Sequence, residues 1–166
     1  MTGAILRPSL RFMLSHPAHL VAMGFGTGLS PFAPGTVGTV LGFPLYAVFA
    51  LWLRPYEILA LAVPLFALGV WACERTGRAL GISDHSGMVW DEVVAFLVIL
   101  VFTPKRWPWL AAAFFVFRFF DVVKPPPIRY FDRNVKGGFG VMLDDLLAAG
   151  YTLLVLSVGK QLIGPG

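Results

Sequence analysis

The sequence predicts an all-α protein, a helical bundle integral to a membrane, with about three to five spanning helices and one polar active-site face. Two observations support this fold class. Of the 166 residues, 57% are hydrophobic and 13% are charged, whereas about a quarter of a typical soluble domain is charged. The apolar residues also form five runs, separated by short segments that are polar or rich in proline and glycine.

The first 39 residues predict an irregular beginning. Residues 1–23 indicate either a short amphipathic segment that lies on the membrane or a frayed terminus. Residues 24–39, GFGTGLSPFAPGTVGT, contain five glycines and two prolines. Such a composition excludes a regular helix, so it predicts a compact loop that leads into a helix near Thr36.

The five apolar runs predict five helices. They cover residues 37–53, 58–73, 93–102, 107–120 and 141–163. Three consecutive prolines at 125–127 must end the fourth helix, because proline removes a backbone donor and clashes with the preceding turn. A glycine-rich loop over residues 134–140 is expected before the last helix. The length predicts a single domain over residues 1–166.

Acidic residues concentrate in two segments between the apolar runs, a first polar island (residues 84–92) and a second polar island (residues 118–145). Of the nine acidic residues in the chain, three lie in the first island and four in the second. A charge near a membrane core is costly unless it is paired, hydrated or bound to an ion. The two islands are therefore expected to meet in one site that binds a divalent metal and a phosphate.

A topology with five crossings places both islands and the glycine-rich loop on one side of the membrane; three or four crossings are the alternatives. Four basic residues would fall on the opposite side, and nine on the side of the islands. This excess predicts that the site faces the cytoplasm. The nine are Arg7, Arg11, Arg75, Arg78, Arg118, Lys124, Arg129, Arg133 and Lys136.

Two acidic pairs are the candidate metal ligands. Asp91 and Glu92 open the third predicted helix, and Asp144 and Asp145 stand near the start of the last one. Either pair could simply favour the first turn of its helix electrostatically. Two pairs on one predicted face favour a shared site, and hard oxygen ligands of this kind suit Mg²⁺.

The basic residues of the second island are the candidate phosphate ligands. Arg118, Asp121 and Lys124 are spaced to share one helical stripe. The alternative is an Arg–Asp ion pair buried for packing. In the functional interpretation, Arg118, Lys124, Arg129 and Arg133 hold a phosphate, with hydroxyl groups from Ser30 and Thr36. In the first island, Asp84 is a candidate catalytic group, and His85 is either an acid–base group or a solvated loop residue.

Three segments in this order resemble the phosphatidylglycerophosphatase A family. They are GFGTGLSPFAPGTVGT, DHSGMVWDE and FRFFDVVKPPPIRYFDRNVKGGFGVMLDD, and the resemblance covers about residues 22–150. The resemblance implies an all-helical phosphatase that depends on Mg²⁺ and resides in the bacterial inner membrane. It also implies a substrate, phosphatidylglycerophosphate, whose terminal phosphate is removed to give phosphatidylglycerol. The sequence contains no run of lysine and arginine residues, so a nucleic-acid partner is not expected.

The expected mechanism is metal-assisted hydrolysis of a phosphomonoester. Asp91, Glu92, Asp144 or Asp145 would hold the metal, and Asp84, Asp91, Asp121 and Asp145 are the candidate catalytic residues. Either a carboxylate activates water, or a carboxylate attacks phosphorus directly and forms an acyl-phosphate. Two other functions stay open. One is a phosphatase for another lipid phosphate, and the other is a membrane protein that binds cations without catalysis. The oligomeric state is not predicted.

Overall fold

The computed structural model describes residues 8–164, and the regular structure in this range is helical throughout. The α-helices are α1 (Leu10–Leu14), α2 (Pro17–Ala22), α3 (Pro34–Ala50), α4 (Pro55–Leu80), α5 (Trp90–Phe102), α6 (Trp107–Val123), α7 (Ile128–Asn134) and α8 (Gly137–Ile163). A 3₁₀ turn, Gly24–Leu29, lies between α2 and α3. Arg7, which was counted on the side of the islands, and the start of the amphipathic segment lie outside the described residues.

Helix α5 forms the centre of the bundle. Nearly all of its side chains from Trp90 to Leu100 are buried, and it packs against α3, α4, α6 and α8. Phe96 sits on α3 where Gly42 leaves space for its ring, and its centroid lies 4.9 Å from that of Phe43. Edge-to-face aromatic pairs of this kind add about 0.5–1.5 kcal/mol beyond simple burial. The apolar core therefore holds α5, and the acidic pair at its start, in a fixed position.

Two helices are long and apolar enough to cross a membrane. They are α4, with 26 residues, and α8, with 27 residues. Only 28% of the apolar window of α4 and 44% of that of α8 are buried, so most of these side chains face outward. By contrast, the 13 residues of α5 extend about 20 Å, which is shorter than the hydrocarbon core of about 30 Å. The third predicted helix is thus an enclosed core helix, too short for a full crossing by itself.

Two predicted boundaries were wrong. Helix α4 continues seven residues past the predicted end at residue 73 and stops at Gly81, which adopts a left-handed φ of 70°. Helix α8 begins at Gly137, so residues 137–140 are helical and not a loop. A Cβ at Gly138 would lie 2.6 Å from the backbone nitrogen of Glu74. The glycines therefore allow α8 to cross close to α4. The short helix α7, which precedes these glycines, was not predicted.

The ends of five helices meet at one end of the bundle. Helices α3, α5 and α8 begin there, and α4 and α6 end there. Glu74 of α4 accepts a hydrogen bond from the Gly138 amide at the start of α8, at 2.7 Å. At the opposite end, Lys160 of α8 donates to the carbonyl of Phe102, the last residue of α5, at 2.7 Å. Because successive long helices run in opposite directions, the two polar islands lie at the same end of the bundle, as the sequence predicts.

Candidate active site

A polar cleft of about 270 Å³ opens where the helix ends meet. Both islands and the first turn of α3 contribute to its wall. The cleft is lined by Ala33, Pro34, Gly35, Asp84, Ser86, Met88, Asp91, Glu92, Arg118, Asp121, Val122, Lys124, Asp144 and Asp145. Six of these residues are acidic and two are basic. When all eight are ionised, these side chains carry four more negative charges than positive ones.

Three of the carboxylates form a compact cluster. Asp91, Glu92 and Asp145 each offer one oxygen, and these oxygens lie within 4.8 Å of one another. All three residues are buried. Three carboxylate oxygens gathered this closely form a donor set that could hold a hard divalent cation such as Mg²⁺, which prefers oxygen ligands.

The buried oxygens of the cluster also lack hydrogen-bond donors. Within residues 8–164, no partner reaches Asp91 Oδ1, Glu92 Oε2 or Asp145 Oδ2, and Asp144 Oδ1 is likewise unsatisfied. Leaving a buried polar group unpaired costs about 1–3 kcal/mol, and more for a charged group. Residues placed only to favour a helix start would lie at the surface, where water satisfies them. The buried carboxylate oxygens without hydrogen-bond donors therefore favour a cation site over a role confined to the helix start.

Arg118 holds one wall of the cleft. Its Nη1 donates to Glu92 Oε1 at 3.1 Å and also to Asp121 Oδ2, one turn further along α6. These side chains are largely buried. The buried ion pair that the sequence left open as an alternative is therefore present. Arg118 also holds Glu92 in place, because the guanidinium contacts Oε1 and leaves Oε2 without a donor in the described residues.

Lys124 holds the opposite wall. It ends α6 in a left-handed conformation with φ of 46°, and its Nζ donates to Asp132 Oδ1 at 2.7 Å and to Asp144 Oδ2. Burial alone would lower the pKa of Lys124, but the two carboxylates raise it above its ordinary value. In turn, burial would raise the pKa of Asp132, but its hydrogen bond with Lys124 lowers it. The lysine is therefore a permanent positive charge at the edge of the cleft.

Asp84 is the most accessible of the acidic groups. It lies in the loop between α4 and α5, borders the cleft and is exposed. The surrounding protein still removes enough water to raise the pKa of its carboxyl above the usual value, although Lys124 opposes this shift. No hydrogen bond to its carboxylate occurs within the part of the chain that the structure describes. Asp84 is thus available to accept a proton.

The start of α3 approaches the cluster because it carries a glycine. A Cβ at Gly35 would collide with Glu92 Oε1 and would lie 3.2 Å from Arg118 Nη1. The loop of residues 24–29 is held against the first island in the same manner, since a Cβ at Gly28 would overlap the carbonyl of Gly87. These close approaches were not predicted, although the high glycine content of residues 24–39 was their signal.

Four predicted phosphate ligands lie outside the cleft. Arg129 is exposed and donates to the carbonyl of Val123 at 3.1 Å, and Arg133 is also exposed. Ser30 lines a neighbouring cavity and bonds to the backbone of Phe32, while the side chain of Thr36 borders neither space. A role for these four residues stays a prediction. Conversely, Asp132 was given no role from the sequence, yet it pairs with Lys124 across the three prolines.

Comparison with known proteins shows which family this chain belongs to. A family model described as phosphatidylglycerophosphatase A matches residues 20–160. A protein of that name from Escherichia coli is 43% identical over 140 residues, which cover 83% of this chain and 80% of the relative. The one from Haemophilus influenzae is 43% identical over 150 residues, with 90% and 92% covered.

A third relative carries a different name. A Bacteroides thetaiotaomicron protein, provisionally named a phosphatidylinositol-3-phosphatase, is 40% identical over 153 residues, which cover 87% of this chain and 94% of the relative. No solved structure matches the chain. The family model spans both polar islands and the glycine-rich loop, and thus every residue that lines the cleft. The chain belongs to the phosphatidylglycerophosphatase A family and is a phosphatase.

Proposed function

We propose that this protein hydrolyses the terminal phosphomonoester of phosphatidylglycerophosphate, with Mg²⁺, to give phosphatidylglycerol and inorganic phosphate in bacterial phospholipid synthesis. The observation that carries the proposal is the cluster of Asp91, Glu92 and Asp145. It combines unsatisfied buried oxygens with an adjacent lysine and arginine, in a chain whose relatives bear the name of this activity.

The metal ligands and the cations have separate tasks. Asp91, Glu92 and Asp145 would hold Mg²⁺, with Asp144 beside them. When bound, Mg²⁺ neutralises phosphate oxygens and favours attack at phosphorus. Arg118 keeps Glu92 in position. Lys124 carries a positive charge, and its ammonium group can exchange its hydrogen bond to Asp144 for one to the entering phosphate. Without a cation, the excess negative charge of the cleft would repel a phosphate dianion.

Asp84 is the carboxylate best placed to act as general base. The oxygen of a water molecule attacks phosphorus, and its proton passes to the Asp84 carboxylate. The bond between phosphorus and the glycerol oxygen breaks, and the oxygen keeps the electron pair and takes the proton back from Asp84, which restores the carboxylate. Asp121 is engaged by Arg118, and Asp145 belongs to the cluster, so neither is as available for this proton transfer. Direct attack by water therefore fits better than an acyl-phosphate.

The membrane position follows from the outer surface of the bundle. The outward faces of α4 and α8 are apolar, and the cleft lies at one end of both helices. A lipid could therefore keep its acyl chains in the membrane while its headgroup enters the cleft. The excess of basic residues at that end favours the cytoplasmic face of the bacterial inner membrane.

Removal of the metal tests the proposed function directly. Purified protein in detergent is expected to release inorganic phosphate from phosphatidylglycerophosphate with Mg²⁺, and to stop in excess chelator. Activity should return when Mg²⁺ is restored, because the ligand side chains stay in place. Full activity in chelator would refute the metal-dependent reaction, and no release from folded protein would refute the substrate.

The pH dependence tests the role of Asp84. A base works in its deprotonated form, so activity is present above the pKa of Asp84 and is lost as the pH falls through it. Because that pKa is raised, the acidic decline of kcat/KM should lie at a higher pH than for an ordinary aspartate. Asp84→Asn should lower kcat by about 10²–10⁴-fold and remove this decline.

The matched control for Asp84→Asn is Glu57→Gln, which changes an acidic residue in the first turn of α4, at the other end of that helix. The control should keep both the rate and the pH profile. An Asp84→Asn variant with an unchanged acidic decline would assign the base to another carboxylate.

A second candidate is a phosphatase for another lipid phosphate. The name of the Bacteroides relative favours it, since that name refers to a phosphoinositide. The relative kcat/KM values for phosphatidylglycerophosphate, phosphatidic acid and phosphatidylinositol 3-phosphate would separate these substrates. A protein that only binds cations would release phosphate from none of them.

A further inference from the structure

A second cavity adjoins the acidic cleft. It has a volume of about 310 Å³, and Pro34 and Ser86 line both spaces. Unlike the cleft, it has no charged side chain among the described residues that line it. Its wall is formed by Pro8, Gly28, Leu29, Ser30, Pro31, Pro34, His85, Ser86 and Gly87. The mechanism proposed above leaves this cavity without a role.

His85 gives the cavity a buried donor. The residue is 5% exposed, and its Nδ1 accepts a hydrogen bond from the Gly87 amide at 2.9 Å. Since Nδ1 is an acceptor, the proton of the neutral ring is on Nε2. Across residues 8–164, Nε2 has no hydrogen-bond partner. An unsatisfied buried donor of this kind costs about 1–3 kcal/mol, so a ligand that accepts from it is favoured.

The start of α3 lies between the two cavities, because Pro34 lines both of them and Gly35 lines the cleft. Pro34 is the first residue of this 17-residue helix, and the preceding Ala33 provides no side-chain acceptor for the first turn. The first amides of a helix have no partner inside the helix, and they favour an anion. His85, which carries this unpartnered Nε2, and Pro34 at the helix start therefore line the same cavity, and neither side chain is charged.

The headgroup of the proposed substrate has two phosphates. Its terminal monoester is the reacting group, and a glycerol bridge joins it to a phosphodiester, which carries one negative charge. Phosphatidic acid has the monoester alone. We propose that the second cavity binds the phosphodiester and the glycerol bridge of the substrate, with His85 Nε2 as a specificity-determining donor. The proposal rests on the proposed function, because it assumes that the monoester occupies the cleft.

Electrostatics explain why the two phosphates would occupy different spaces. A phosphomonoester dianion needs the metal and the fixed cations of the cleft, whereas a diester anion is matched by neutral donors and a helix start. Ser30 contributes a hydroxyl oxygen to the second cavity, where it can accept from the glycerol hydroxyl. This placement gives the predicted Ser30 a role beside the diester and not beside the reacting phosphate.

His85→Asn is the variant that isolates the donor. The asparagine oxygen can still accept from the Gly87 amide, so the turn is kept while Nε2 is removed. Its kcat/KM for phosphatidylglycerophosphate is expected to fall about tenfold to a hundredfold. Its kcat/KM for phosphatidic acid of the same acyl chains should stay within about twofold of the original. His85→Gln places an N–H near the original Nε2 and should recover part of the loss.

His16→Asn is the matched control. His16 Nδ1 accepts from the Ala18 amide two residues ahead, at 3.0 Å, in the same manner as His85, but His16 lines neither cavity. Inhibition by phosphatidylglycerol, which has the diester and no monoester, provides a second readout. The inhibition constant should rise in His85→Asn and stay constant in His16→Asn.

The outcomes separate the two proposals. Equal losses for both lipids in His85→Asn would overturn the diester site while leaving the phosphatase intact, because the residue would then act on the reacting phosphate or on folding. An unchanged preference between the two lipids would also overturn it. If the unaltered protein released phosphate from neither lipid, the proposed function would fail first and the diester site with it.

Discussion

Asp91→Asn is expected to reduce the rate of phosphate release by at least about a thousandfold at saturating Mg²⁺. The change keeps the volume of the side chain but removes one negative ligand from the cluster with Glu92 and Asp145. A divalent ion supplies several kcal/mol of transition-state stabilisation, and about 4 kcal/mol corresponds to a factor of a thousand. The measurement is phosphate release from phosphatidylglycerophosphate in detergent, across a series of Mg²⁺ concentrations.

The stability of this variant should change in the opposite direction. Without a cation, the buried carboxylates of the cluster repel each other, so a neutral amide at residue 91 relieves part of that repulsion. In chelator, the Tm of Asp91→Asn should therefore equal or exceed that of the unaltered protein. Added Mg²⁺ should raise the Tm of the unaltered protein and have little effect on the variant, because a ligand stabilises only the state that binds it.

Glu57→Gln serves as the control here too, since Glu57 accepts from the Arg54 amide at the start of α4 and takes no part in the cleft. It should leave both the rate and the response to Mg²⁺ unchanged. A fully active Asp91→Asn variant would remove Asp91 from the ligands. A Tm for the unaltered protein that ignores Mg²⁺ would contradict the cation site as a whole.

Lys124→Met is expected to reduce both stability and activity. The methionine replaces the alkyl chain but leaves Asp144 without its charged partner, and the Asp144 side chain is 6% exposed. Removing one member of a buried ion pair costs about 3–5 kcal/mol, and we expect about 3 kcal/mol because the aspartate can take up a proton instead. Activity should also fall, since the positive charge at the edge of the cleft is lost.

A double substitution distinguishes the ion pair from other effects of Lys124. In Lys124→Met with Asp144→Asn, neither side chain is charged, so much of the lost stability should return while activity stays low. The control is Lys136→Met, because Lys136 is exposed and, within residues 8–164, donates to the backbone carbonyl of Asp132 at 2.9 Å and to no carboxylate. If Lys124→Met kept the original Tm, the buried pair would not contribute to folding.

The apolar runs and the placement of charge determined the class of the fold. The apolar runs predicted the helices that became α3 to α6 and α8, since each must bury or shield a long apolar surface. Prolines 125–127 marked the end of α6 correctly, because a backbone without amide donors cannot continue a helix. Both polar islands were also identified as parts of one site, since isolated carboxylates are too costly in so apolar a chain.

Glycines were the main source of error in the helix boundaries. Residues 137–140 resemble a loop by composition, yet they form the first turn of α8 because Gly138 lies against the backbone of α4. The same composition at Gly35 and Gly28 permits backbone contact with the first island. The sequence shows where the glycines are. Whether a glycine is required at a position depends on which other segment packs against it, and only the tertiary structure shows that.

The sequence by itself determined which residue types form the site, whereas the tertiary structure decided which of them meet. Arg129 and Arg133 have suitable chemistry, but α7 places both at the surface, away from the cleft. The pairing of Lys124 with Asp132 and Asp144 depends on how α6, α7 and α8 pack together. The sequence shows hydrophobicity and charge along the chain. The distances across the cleft are set only when helices that are far apart in sequence pack into a common core.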